Sequence, residues 1–198
     1  SGSETVQLKR AMHLWLSPHD ARVRALRAQG ELAYGFARTP FGGCLALTTG
    51  DHLLALYFAE EREEGVASVR EKWPTAVLRP ETAADEVMAR IFDRPDSISL
   101  MTIGTPFQLT VWKYLCSIPE GRTLTYGEVA KAIGRPTAAR AVGQAVGANE
   151  IALLIPCHRV ISRGKSRGKL SGYRWGVERK KALLVWELSR RDPLEMPF

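Results

Sequence analysis

Cysteine is scarce in this 198-residue chain, and its three thiols, Cys44, Cys116 and Cys157, lie far apart. An odd count with no Cys-x-x-Cys pair argues against a disulfide framework and fits reduced thiols in a cytoplasmic protein. His13, His19 and His52 leave a zinc site with Cys44 conceivable but lack the close ligand spacing of such sites. A small buried apolar thiol is therefore the expected use of Cys44, and no metal is expected. No apolar run approaches the roughly 20 residues of a membrane helix, and no basic-then-apolar leader opens the chain, so no membrane partner is expected. Acidic residues also thin out along the sequence. Residues 1–104 carry 14 Asp/Glu against 12 Lys/Arg, a net −2, whereas residues 105–198 carry 7 against 16, a net +9. That asymmetry favours a polyanionic partner, nucleic acid ahead of membrane because no basic amphipathic anchor is visible.

What is present suffices for a globular fold: 45% of residues are hydrophobic, enough for one large or two small domains. Ser1-Gly2-Ser3 reads as the remnant of tag removal, so the native N-terminus is expected elsewhere and the chain is expected to be a fragment. The rest of the segment up to residue 31 carries no assignable pattern. Residues 32–58 alternate β-rich runs with turns at Gly42-Gly43 and Thr49-Gly50-Asp51, which predicts an antiparallel meander. Helical patterns follow at about 60–73 and 81–93, and 97–101 reads as one more strand. Residues 32–103 thus form an expected small α/β domain with a structural or interface role.

After Gly104-Thr105-Pro106 the texture turns helical, with Phe107, Val111, Trp112 and Leu115 on one face, so a second domain is expected over 104–198. Thr125-Tyr126-Gly127-Glu128 is a capping box that opens a helix bearing Val129, Ala130 and Ile133. Gly134 ends it, and an Ala- and Gly-rich helix is expected over about 137–148. Two short helices across a tight Gly turn, with Arg140 on the second, fit a helix-turn-helix, though such pairs also occur as plain packing units. The Gly-rich basic stretch 162–169 suits a wing lying on phosphates or a surface loop. Between them, the apolar run 151–156 delivers Cys157-His158-Arg159. A thiol beside a base and a cation is the pattern of an activated thiolate, and also that of a core cysteine followed by two surface residues. Adjacent side chains in extended backbone point apart, so His158 needs a turn or a bridging water to reach the sulfur.

The wider pattern is more specific. Gly121-Arg122-Thr123-Leu124-Thr125-Tyr126-Gly127-Glu128-Val129-Ala130, Ala139-Arg140-Ala141-Val142-Gly143, Ala148-Asn149, Ile155-Pro156-Cys157-His158-Arg159-Val160 and Ser171-Gly172-Tyr173-Arg174-Trp175-Gly176 occur in one order. Together they closely resemble the O6-alkylguanine-DNA alkyltransferases, especially the repair domain of the bacterial Ada type. The resemblance is strong over about 104–187 and weaker over 32–101. It implies an α/β N-terminal domain of ribonuclease-H-like fold, an antiparallel sheet with helices, followed by a mainly α winged helix-turn-helix domain.

The resemblance also implies roles. Cys157 would accept the alkyl group, His158 would deprotonate it through water, Glu187 would orient and polarise His158, and Asn149 would be the hinge tying the recognition helix to the active-site strand. Tyr126, Val160, Tyr173, Arg174 and Trp175 would line the base pocket. Arg140 would fill the stack vacated by the flipped base, with Arg135, Thr137, Ala139 and Arg163 also on DNA. The implied activity is irreversible, single-turnover transfer of a methyl or small alkyl group from O6-alkylguanine, and from O4-alkylthymine, in double-stranded DNA. It needs no metal or diffusible cofactor and suits a monomer acting in the cytoplasm, on the nucleoid of a prokaryote. Glu150 stands where the family often has Pro, and Arg174-Trp175 is bulkier than the small pair of some relatives, which implies a narrow pocket favouring methyl. From Leu16-Ser17-Pro18 onward the chain faintly resembles the junction after the regulatory segment of Ada-type proteins. Two competing expectations are an alkyl-lesion sensor, whose kind lacks the acceptor cysteine, and a thiol hydrolase, for which no oxyanion-hole motif is recognisable.

Overall fold

A computed structural model describes residues 13–162 and 172–190 of the chain. It begins with β1 (Leu14–Leu16) and α1 (Ala21–Gln29), both in the stretch where the sequence carries no pattern. The reason is physical: β1 is three residues long, and α1 buries only Val23, so neither repeats long enough to show a period. The meander follows as expected, with β2 (Glu31–Thr39), β3 (Gly42–Thr49) and β4 (His52–Phe58) antiparallel in sequence order. Then come α2 (Arg62–Lys72), β5 (Val77–Pro80), α3 (Thr82–Arg90) and β6 (Ser99–Ile103).

The six strands form one sheet in the order β1-β6-β4-β3-β2-β5. It is mixed rather than antiparallel throughout, because β5 runs parallel to β2, and β6 parallel to β4 and β1. Both β5 and β6 are reached through helices, and a helical crossover returns the chain in the direction of the strand it left. The inner strands β3 and β4 are buried on both faces. Cys44, Ala46, Leu56 and Phe58 point into one cluster, and Leu45, Leu47, Ala55 and Tyr57 into another closed by Val23, Val69 and Trp73. The first cluster runs on without a break into Val111, Trp112, Leu115, Val129, Val142, Ile155 and Leu183. The helical half therefore rests on one face of the sheet, and each fully buried Leu or Val there contributes about 1.5–3 kcal/mol of apolar burial.

That half contains α4 (Pro106–Leu115), β7 (Leu124–Thr125), α5 (Tyr126–Ala132), α6 (Ala139–Gly147), β8 (Val160–Ile161) and α7 (Val177–Ser189). The Thr125/Glu128 capping box forms in full, and Gly134, at φ 73°, takes the left-handed turn between α5 and α6. Residues 151–156 are turns rather than a strand, touching the sheet through one parallel bridge from Ile151 to Leu56. Beyond Ser162, the expected wing, Arg163 included, lies outside the described residues.

Candidate active site

The site is organised by one carboxamide. Asn149 follows α6 and is 1% exposed. Its Nδ2 donates to the carbonyls of Ile151 (3.0 Å) and Ile155 (2.9 Å) and to Cys157 Sγ (3.3 Å), while its Oδ1 accepts from Ile151 N (3.0 Å). A single side chain thus closes the loop 149–157 and touches the sulfur. The loop is fixed to the sheet where Leu56 N donates to Glu150 O (2.9 Å) and Ala152 N to Leu56 O (3.0 Å). Inside it Leu153 sits at φ 64°, a left-handed conformation that costs a residue with a Cβ about 1–2 kcal/mol. The bonds around it hold it there.

Cys157 opens a single 3₁₀ turn, Cys157–Arg159, which carries both following side chains to Glu187 of α7. Glu187 Oε1 lies 2.6 Å from His158 Nε2 and accepts from Arg159 Nη2 (2.9 Å), while Oε2 accepts from Gly121 N (2.9 Å). Burial alone would push this carboxyl up, but the donors outweigh it and bring it down to about 2. Glu187 is therefore ionised, and an ionised carboxylate only accepts, so the hydrogen of the short contact belongs to Nε2. Burial lowers the His158 pKa against the pull of Glu187, leaving the imidazole neutral at neutral pH. Its lone pair must then be on Nδ1, which is buried and has no hydrogen-bond partner among the described residues.

The thiol itself is 3% exposed, and burial pushes it up to about 11, against the Asn149 donor, the charge of Lys180 and nearby backbone amides. Cys157 thus rests as a thiol, not as the standing thiolate that an adjacent base and cation suggest. Arg159 does not serve the sulfur, since its guanidinium is taken by Glu187 and the Ile118 carbonyl. The cation acting on the sulfur is Lys180, fully buried on α7, whose Nζ donates to Val160 O at 2.6 Å.

The expected pocket residues gather around this centre. The Tyr173 ring meets His158 edge-on (centroids 6.5 Å apart) and Trp175 likewise (5.3 Å), and its buried hydroxyl has no partner among the described residues. Tyr126, the first residue of α5, lies against Gly143 and Gly172, where an added Cβ would meet it at 3.8 Å in each case. Val160 is fully buried. Arg174 behaves differently, its guanidinium turned onto Glu150 (2.8 Å) and over the Tyr57 ring (5.7 Å). On the outer face, Arg135, Thr137 and Arg140 are exposed around the start of α6 and Ala139 is half-buried. Neither guanidinium has a hydrogen-bond or ion-pair partner among the described residues. Cys44 is sealed in the core, its thiol pushed up to about 12 by burial, and Cys116 is exposed. No group of three or more metal-ligating side chains occurs among the described residues.

A family model described as "6-O-methylguanine DNA methyltransferase, DNA binding domain" matches residues 106–189, which hold the thiol, the base and the carboxylate. A crystal structure of Mycobacterium tuberculosis O6-methylguanine methyltransferase is similar at 38% identity and TM-score 0.64, covering 82% of this chain and 96% of that one. This chain belongs to the O6-methylguanine-DNA methyltransferase family. The regulatory protein Ada of Salmonella typhimurium is 39% identical over 166 residues, 80% of this chain and 46% of the relative. A methylated-DNA–protein-cysteine methyltransferase of Mycobacterium tuberculosis is 58% identical over 87 residues, 44% of this chain and 51% of the relative. The chain spans about half the length of the curated relatives it matches. A sheet with helices, followed by a helical C-terminal half, is the methyltransferase fold.

Reading the sequence as a methyltransferase overlooks two side chains of this centre. Lys180 lies seven positions before Glu187 on the face of α7 that also carries Leu183 and Leu184, so a lysine at helical spacing with two leucines and the family's glutamate was the available signal. Glu150 offered only its departure from the family's Pro. The structure makes it a junction: it accepts from the Tyr57 hydroxyl, pairs with Arg174 at 2.8 Å and lies 3.8 Å from Lys72.

Proposed function

We propose that this protein repairs DNA by taking a methyl or other small alkyl group from O6 of guanine, and from O4 of thymine, in double-stranded DNA onto Cys157. The observation that carries this reading is the neutral His158 with an unbonded Nδ1 lone pair, locked by Glu187 beside a protonated thiol. Such a centre is activated on demand. The thiol proton passes through a water to Nδ1, and the imidazolium is stabilised by Glu187, an arrangement of nucleophile, base and orienter. Asn149 and Lys180 stabilise the thiolate as it forms. The sulfur displaces the oxygen at the alkyl carbon: the S–C bond forms, the C–O bond breaks, and the electron pair leaves on the base. The released guanine takes up a proton, so the net movement of hydrogen is from sulfur to base. The thioether has no hydrolytic exit, and each molecule acts once.

Guanine O6 is masked in the stacked duplex, so the nucleotide has to be extruded, at a cost of a few kcal/mol. In this reading α5 and α6 form the helix-turn-helix of a winged domain over 104–198, joined to a ribonuclease-H-like sheet domain over 32–103 that β1 and α1 extend back to Leu14. Arg140 fills the vacated stack, Arg135, Thr137, Ala139 and Arg163 lie on the DNA, and Tyr126, Val160, Tyr173 and Trp175 enclose the flipped base. The protein would act as a monomer in the cytoplasm. Intact-mass spectrometry after incubation with an O6-methylguanine duplex tests the assignment. One added methyl on the peptide containing Cys157, with no turnover, is the expected result. Label on Cys44 or Cys116, tight binding without label, or repeated turnover would each overturn it.

A further inference from the structure

Two arginines, Arg174 within the pocket turn 173–175 and Arg179 beyond it, connect that turn to the sheet half of the molecule. On one side Arg174 pairs with Glu150 (2.8 Å), reaches the Asn149 carbonyl (3.4 Å) and lies over the Tyr57 ring of β4. On the other, Arg179 donates to Trp175 O (2.6 Å) and to Phe41 O (2.7 Å), pairs with Glu60 (3.0 Å) and stacks on Phe58 of β4 at 4.6 Å. The turn they hold carries Tyr173, whose ring edge meets His158, and Trp175, which also packs against Phe58. Glu150 is the shared point. Its carboxylate holds Tyr57 and Arg174, its carbonyl takes the Leu56 amide, and its chain neighbour Asn149 touches the Cys157 sulfur.

Resting on the alkyl-transfer reading above, we propose that Glu150 is a positioning residue through which the N-terminal sheet sets the width of the alkyl pocket. The carboxylate registers the Tyr173 wall against the loop that carries the thiol, and Tyr57 of β4 holds that carboxylate, so the distance between wall and sulfur depends on a residue outside the DNA-binding half. Charge-assisted bonds suit this task because they fix direction as well as distance. Beside them lies a cavity of about 490 Å³ lined by Tyr57, Lys72, Glu150 and Arg174, so packing contributes little to holding Arg174 on that side. A rigid wall favours a small alkyl group, and a loosened one tolerates a larger group while positioning the small one less well.

The test compares Glu150→Gln, which keeps the shape and a Tyr57 contact but removes the charge, with Tyr57→Phe, which removes a single hydroxyl. Rates of Cys157 alkylation are measured with an O6-methylguanine duplex and with free O6-benzylguanine, beside amide exchange over residues 172–176. Both variants are expected to fold, to exchange faster at the Gly176 amide, and to raise the benzyl-to-methyl rate ratio by roughly fivefold or more. Equal loss of both rates, or an unchanged ratio with unchanged exchange, overturns the proposal, because a purely structural defect lowers both in step. If the parent chain transferred neither group, the alkyl-transfer reading would fall, while the exchange measurement would still decide whether Glu150 holds the wall.

Discussion

His158 and Glu187 are both held below their ordinary values, the imidazole by burial and the carboxyl by its donors, and their effects on stability share one sign. Below about pH 6.5 the unfolded chain protonates His158 while the folded chain resists, so stability falls as pH drops. Below 4.5 the unfolded Glu187 begins to protonate as well, and its contribution, complete above that pH, is lost on the way to about 2. Thermal melts at descending pH should show both losses. Glu187→Gln leaves Arg159 and His158 facing a neutral group, which should cost about 3 kcal/mol at neutral pH, in the range for a broken buried pair. The variant's melting temperature should also depend less on pH between 4.5 and 2. A uniform offset at every pH would mean that the carboxylate of Glu187 is not the titrating group. The same substitution should slow alkyl transfer, since a wrongly tautomerised or misoriented imidazole no longer presents its lone pair at Nδ1.

At the scale of elements, α6 combines two faces with separate duties. Val142, Ala145 and Val146 bind it to the core, and the Ala145 carbonyl accepts from the Trp112 indole at 2.8 Å, while Arg140 stands out from the first turn. If Arg140 fills the stack, Arg140→Ala should slow repair of a duplex by one to two orders of magnitude or so. Free O6-benzylguanine needs no extrusion, so it should label the same variant at nearly the parental rate. Equal slowing on both substrates would mean that Arg140 supports the pocket or the helix, and the wedge role would be wrong. The loop 149–157 makes the complementary point. It has almost no regular structure, yet Asn149 satisfies enough of its backbone to hold a strained Leu153 and to bring the sulfur to a donor.

Over the whole molecule the charge is divided, with a net −2 in residues 1–104 and +9 in residues 105–198. Binding to undamaged duplex should weaken linearly in log affinity against log salt, at a slope of about −0.9 per phosphate neutralised. Reversing Arg163, Lys165 and Lys169 together should flatten that slope by roughly two to three units if all three meet phosphates, as titrations at several salt concentrations would reveal. An unchanged slope would remove this stretch from the DNA face. Much of this protein was legible before any coordinates: the meander, the Thr125/Glu128 cap and the Gly134 turn are written in short-range periodicity and turn chemistry. The Cys157-His158 motif, in the order of blocks around it, identified the family. These signals are local, and neighbouring residues suffice to read them. Only the tertiary structure decided that Arg159 serves Glu187 instead of the sulfur, that Lys180 is the cation beside the thiol, and that Glu150 joins the sheet to the pocket wall. Each of those facts is a choice of partner between residues far apart in the chain, settled by which side chains share a buried space and which charges find no better neighbour.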